Sequence, residues 1–232
     1  MRVLRGRAAT IDADRDRTAE LARWTDETRE PGLRVWRPHR QVAFGRRDVH
    51  EPGYAAAREA AEERGFPGVE RRAGGRAVAY TGTTVAFVRT EPVEDLRTGI
   101  ADRYDRTSDT VQRALWRLGV PVQRGEPPES FCPGNHSLQW NGKVVGLAQR
   151  VAAGVAIVGG VVVVRDREAI ADVLAAVYEA LAVDFDPGSV GSLAAGGGPS
   201  DPDRVVTALE SALRAATGAD DAVEVLTIDG DG

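Results

Sequence analysis

Residues 137–164 limit the fold more than any other stretch of the chain. Asn141-Gly142 stands between the β-like runs 137–140 and 143–148, and Asn-Gly supplies the two positive-φ residues that a tight hairpin turn needs. Gly159-Gly160 stands in the same way between the valine-rich runs 155–158 and 161–164. Two turn signals this close predict antiparallel strands at the centre of the chain, since parallel neighbours need a long crossover. In a two-residue hairpin Trp140 opposes Lys143 and Leu138 opposes Val145. Alternation then puts Lys143 on one face with Leu138, Trp140, Val145 and Leu147, and leaves Ser137, Gln139, Val144, Gly146 and Ala148 on the other.

Helical patterns surround this block. Residues 14–24 read as a charged helix, and 54–64 (YAAAREAAEER) as one stopped by Gly65 and Pro67. Over 93–118 Leu96, Ile100, Tyr104, Val111, Leu115 and Leu118 recur at helical spacing. Residues 167–181 form another such segment, and a last helix starts at Pro202 behind Ser200 or Asp201. Short β-like runs lie at 3–9, 33–36, 41–44, 68–72, 77–80 and 84–89. The order predicts an α+β fold, a mixed β-sheet core flanked by helices. One domain spans 1–193, and 194–232 is read as a glycine-rich connection with a C-terminal helical appendage. The longest apolar run, 151–164, is short and broken by glycines, so no membrane span is expected. The N-terminal residues carry no secretory pattern, and the expected location is cytoplasmic.

Charge narrows the partners. Residues 1–120 carry 23 arginines against 19 acids, whereas 121–232 carry 7 basic residues against 16 acids. So modest a basic excess suits an acidic protein partner and excludes the strong basic stripe of a nucleic-acid binder. The chain holds 29 arginines and a single lysine, Lys143. Its predicted face is the more apolar one. A lysine kept there either meets an anionic or carbonyl oxygen or, being near the hairpin tip, snorkels to water. The single cysteine, Cys132, lies eleven residues upstream in ESFCPGNH. A thiol in a loop beside a cation gains thiolate character, and a cysteine nucleophile with an ammonium to hold a carbonyl oxygen is the minimum for acyl transfer. One cysteine makes no internal disulfide, and His39, His50 and His136 lack metal-ligand spacing, so no metal site is expected.

A second constellation is RRAGGRAVAY at 71–80. Gly74 and Gly75 let a substrate approach the backbone, Arg71, Arg72 and Arg76 surround them, and Tyr80 ends the run. Neither the dinucleotide fingerprint nor the phosphate loop is present.

Taken together, RRAGGRAV (71–78), SFCPGNHSLQWNGKVVGLAQR (130–150) and a weaker DPGSVGSLA (186–194) resemble the biotin/lipoate A/B protein ligase superfamily. Within it the second segment is most similar to the octanoyl-[glycine cleavage H protein]:protein N-octanoyltransferases. The resemblance implies a biotin/lipoate-ligase-like catalytic domain over 1–193. It makes Cys132 the acyl-accepting cysteine and Lys143 the lysine that contacts the acyl carbonyl. Gly74 and Gly75 line the acyl tunnel with Arg72 just before them, and Arg76, Tyr80, Gly146 and Gln149 join the substrate-binding set. The implied activity is an acyltransferase of protein lipoylation with no required cofactor. Its donor would be an octanoyl- or lipoyl-carrier protein (glycine cleavage H protein or acyl carrier protein). Its acceptors would be the lipoyl domains of 2-oxoacid dehydrogenase E2 subunits. Two other readings stand beside it. One is an ATP-dependent lipoate–protein ligase subunit, which uses ATP and lipoate and does not need Cys132. The other is a non-catalytic module that binds acyl carriers. Arg76 stands where ATP-using relatives carry a third glycine, a departure from the adenylate-binding pattern.

Overall fold

The computed structural model describes residues 1–71, 74–95, 98–218 and 223–228. Valine-rich segments become strands and the alanine-rich and amphipathic segments become helices. In chain order they are β1 (Arg2–Gly6), α1 (Ile11–Thr28), β2 (Gly32–Trp36), β3 (Gln41–Phe44), α2 (Arg46–Val49), α3 (Tyr54–Glu63), β4 (Gly68–Glu70), β5 (Val78–Tyr80), β6 (Val85–Pro92), α4 (Ile100–Arg117), β7 (Gln123–Arg124), β8 (Leu138–Gln139), β9 (Lys143–Ala152), β10 (Val155–Val162), α5 (Arg167–Ala180), α6 (Pro202–Ala215) and β11 (Glu224–Ile228).

Among the described residues the strands form a mixed sheet ordered β11-β1-β2-β6-β10-β9-β8-β7 and a small sheet ordered β4-β3-β5. From β2 to β7 the large sheet is antiparallel, while β1 runs parallel to both its neighbours. On one face α4 and α6 bury Val111, Leu115, Val205 and Leu209 against Val35, Phe87, Val145 and Val162. On the other face Val161 and Val163 join a core made with the small sheet, α3 and α5. There α5 presents Ile170, Val173, Leu174 and Val177, the spacing of one helical stripe. Helix α1 lies on this second face too, where buried Arg34 of β2 bonds Asp14 at 2.5 Å and Thr25 meets Thr90 of β6 at 2.6 Å.

Three sequence expectations change. Gly159-Gly160 makes no turn. Both lie inside β10, opposite Ala148 and Leu147. A side chain at Gly160 would run into the Phe87 ring, so the glycine serves a close approach to β6 and not a reversal. The reversal comes at Ala153 and Gly154, both at positive φ (48° and 73°). The helix read over 93–118 starts at Ile100, after β6 has extended to Pro92, and Leu96 lies outside the described residues.

The Asn-Gly hairpin forms, but in another register. Leu138 opposes Val145 as expected, whereas Lys143 opposes Gln139 in place of Trp140. Between these two pairs β9 advances two residues for one in β8, so Val144 is the extra residue of a β-bulge. Val144 and Val145 both enter the core beneath α4 and α6. Lys143 is thereby turned to the opposite face, above Gly146. The stretch 194–232, read as a connection and appendage, places Val205, Leu209 and Leu213 of α6 in the main core and pairs β11 with β1.

Candidate active site

The segments 71–78, 130–150 and 186–194 converge at one end of β9. Gly191 N–H donates to Lys143 O at 3.0 Å, and Gly142 and Gly191 pack backbone to backbone, which fixes the lysine's main chain. The side chain is 1% exposed. Its Nζ donates to Glu126 Oε1 (2.8 Å), to the carbonyls of Phe131 (2.9 Å) and Cys132 (2.9 Å), and lies 3.2 Å from Glu126 Oε2. Burial pulls the ammonium's pKa below the ordinary lysine value, and Glu126 offsets only part of that. The lysine is therefore held inside by an anion and two carbonyls, and does not reach water.

Glu126 ties the cysteine loop together. Besides Lys143 it accepts from Ser130 Oγ and from Gly134 N–H at 3.0 Å, so one carboxylate bridges both flanks of Cys132. Cys132 sits at φ +42°, a left-handed conformation that non-glycine residues adopt at a cost of about 1–3 kcal/mol. Two bonds hold it there: its N–H donates to Tyr178 Oη at 2.7 Å, and its carbonyl accepts from Lys143. Tyr178 in turn donates to Ala77 O at 3.1 Å, and burial drives its phenol pKa upward.

The thiol faces the 71–78 segment. Arg71 Nη2 lies 3.0 Å from Cys132 Sγ and donates to Arg76 O at 2.6 Å. Burial works against the Arg71 charge. Even so, the thiol of Cys132 and the phenols of Tyr80 and Tyr178 outweigh it, and the guanidinium pKa is raised. Gly75, at φ +90°, leaves room for the sulfur, because a Cβ there would stand 2.6 Å from Sγ.

From Cys132 and Lys143 a cavity of about 670 Å³ runs between the two sheets and under α1. Small residues widen it, Ala43 and Val78 on the small sheet and Gly146, Ala148, Gly159 and Val161 on the large one, beside larger ones such as Trp36, Phe87 and Phe131. On β9 and β10, where bulky β-branched residues would suit the strands, glycine and alanine leave space for a ligand.

The predicted residues fall into three groups. Cys132, Lys143, Tyr80, Gly146 and Gln149 all line this cavity, and Gly75 touches the thiol. The side chain of Gln149 is engaged by Arg103 Nε of α4 at 3.2 Å. Gly74 is exposed, with open space where a Cβ would stand, and Arg76 is paired with Asp48 (3.3 Å) and Glu51 (2.7 Å), away from the cavity wall. Arg72 lies outside the described residues. Glu126, Arg71 as the thiol's partner, and Tyr178 were missed. The need of the lone lysine for an anion was a signal for Glu126. Nothing in the spacing chooses between Glu126 and Glu129, and none pointed to Tyr178 across the fold. Among the described residues no group of three or more histidines, cysteines or acids could hold a metal ion, and no helix is long and apolar enough to cross a membrane.

Two sheets and α1 enclose a cavity whose wall carries a thiol, a buried ammonium and a half-buried guanidinium, an arrangement that can take an apolar chain and meet a carbonyl at its end. Residues 16–214 match the model of the lipoyl protein ligase A/B catalytic domain, and the chain belongs to that family. It is similar to the octanoyl-[GcvH]:protein N-octanoyltransferase of Kyrpidia tusciae, with 27% identity over 158 residues, covering 68% of this chain and 54% of that protein. The enzyme of the same name from Anoxybacillus flavithermus is 29% identical over 134 residues, covering 55% and 46%. The chain thus spans about half the length of these curated relatives. Its fold is shared with a lipoate-protein ligase A solved bound with ATP (TM-score 0.76, 18% identity, covering 97% of this chain and 89% of that one). The putative lipoate protein ligase of T. acidophilum, solved with bound lipoic acid, shares it as well (TM-score 0.72, 17% identity, 98% and 89%).

Proposed function

We propose that the protein is an acyltransferase of protein lipoylation that works through a Cys132 thioester. The observation that carries this is the meeting of the chain's only thiol with a buried ammonium and a half-buried guanidinium on the wall of one cavity. The thiolate attacks the carbonyl carbon of an octanoyl or lipoyl group on a carrier protein. An S–C bond forms, the bond to the carrier breaks, and the departing group takes up a proton. Lys143 Nζ turns from the loop carbonyls to the acyl oxygen and stabilises the charge that develops there. The ε-amine of an acceptor lipoyl domain then attacks the thioester, loses a proton and leaves as the amide, while the thiolate is restored. Neither half-reaction calls for a cofactor. The similarity to octanoyl-[GcvH] transferases favours glycine cleavage H protein as donor, lipoyl domains of 2-oxoacid dehydrogenases as acceptors, and a cytoplasmic setting.

Intact-mass spectrometry of the protein mixed with octanoyl-carrier protein, without ATP, tests the reading. The expected result is an octanoyl adduct that hydroxylamine removes and that is absent from Cys132→Ala. Acceptor modification that appears only after ATP and lipoate are added, and that survives Cys132→Ala, would make the protein a ligase.

A further inference from the structure

Two cations stand on the wall of the cavity, Lys143 buried and Arg71 half-buried with its Nε enclosed, and their surroundings are not alike. Lys143 has a carboxylate of its own: Glu126 contacts it through both oxygens, and the Phe131 and Cys132 carbonyls take its other protons. Its charge is balanced inside the protein. Arg71 has no such partner. Among the described residues no carboxylate lies within ion-pair distance of its guanidinium, and its Nε is buried without any hydrogen-bond partner. Asp48, which senses its charge, is already held by Arg76 and by the Gly45 N–H. What does touch Arg71 is the Arg76 carbonyl and the sulfur of Cys132, 3.0 Å away.

A buried cation without an anion is costly, and the cost falls when a neighbour ionises beside it. Among the described residues the one titratable side chain in contact with the Arg71 guanidinium is the thiol, 3.0 Å from Nη2. The phenols nearby, Tyr80 on β5 and Tyr178 on α5, are held neutral because burial raises both pKa values. We propose that Arg71, and not Lys143, is the counter-ion of the Cys132 thiolate, which leaves Lys143 with Glu126 to hold the loop and meet the acyl carbonyl. This rests on the reading of Cys132 as the acyl-accepting nucleophile. It divides between two cations what a single lysine was expected to do, and it gives the 71–78 segment a chemical purpose at its first residue.

Because Cys132 is the only cysteine, alkylation by iodoacetamide reports on it alone: an S–C bond forms at Sγ and iodide leaves. Removing a contacting positive charge lowers the thiolate fraction, so Arg71→Met is expected to react about tenfold more slowly at pH 7 than wild type. Arg71→Lys, which keeps the charge, recovers most of the rate. The double variant Glu126→Gln/Lys143→Met removes both charges of the buried pair together. It stays within about threefold of wild type in alkylation although it loses acyl transfer. An Arg71→Met rate equal to wild type, or a double variant as slow as Arg71→Met, overturns the assignment. Should Arg71→Met fail to fold, Arg71→Lys and the double variant still decide between the two cations. The readout needs no acyl donor. Wild type that forms no acyl adduct yet alkylates in this Arg71-dependent way refutes the proposed function and keeps the counter-ion. An adduct that forms equally fast in Arg71→Met removes the counter-ion alone.

Discussion

Lys143 carries the ammonium in a place where burial opposes its charge, and the physical consequence is a pH limit. Its pKa is lowered from 10.5, so the proton is lost earlier on the alkaline side than from an exposed lysine. The alkaline limb of kcat/KM for acyl transfer is therefore expected below 10.5. In Lys143→Arg, whose guanidinium stays protonated, the limb disappears even though the level of activity falls. A limb that persists in Lys143→Arg would assign it to another group. At this scale the two singletons of the composition could be read directly from the chain. Their partners could not: Glu126, Arg71 and Tyr178 are polar groups whose roles come from what the fold sets opposite them.

At the scale of elements, one residue decides which face the lysine takes. A strict two-residue hairpin would have sent Lys143 into the core beneath α4 and α6, beside Leu138 and Val145. The bulge at Val144 sends it to the cavity. Inserting one residue between Leu138 and Gln139 gives Val144 a partner, restores simple alternation and puts Lys143 on the Val145 face, and the expected outcome is a folded protein whose acyl transfer drops by at least about 100-fold. Near-wild-type turnover in the insertion variant would show that the bulge does not place the lysine. The pattern predicted both strands and their antiparallel pairing. It did not predict the bulge, because two adjacent apolar residues, Val144 and Val145, fit either a bulged strand or a regular one buried on both faces. The Gly159-Gly160 reading failed for a related reason. Two consecutive glycines satisfy a turn and equally satisfy a strand pressed against an aromatic ring, and only Phe87 on β6 separates the two.

Over the whole molecule the cavity exists because α1 and the small sheet are held off the face of the large sheet. The α1 side is fastened by a buried pair. Arg34 bonds the Asp14 carboxylate at 2.5 Å and its carbonyl at 2.8 Å, and Trp36 Nε1 donates to the other carboxylate oxygen at 2.9 Å. Removing one member of such a pair leaves a buried charge uncompensated. Arg34→Met is expected to cost about 3–5 kcal/mol of unfolding free energy in urea titrations. A loss under about 1 kcal/mol would mean that α1 is fastened by its apolar face.

Local chemistry is enough to account for the order of helices and strands, the mixed α+β class, the antiparallel centre and the identity of the thiol and the ammonium. Each follows from periodicity, turn residues or the rarity of a residue type, which act within a few positions along the chain. The carboxylate that neutralises Lys143, the guanidinium set against the sulfur and the cavity itself follow from contacts between segments 17 to more than 60 residues apart. Those contacts depend on which faces of two sheets and a helix can be buried together, and no local pattern encodes that choice.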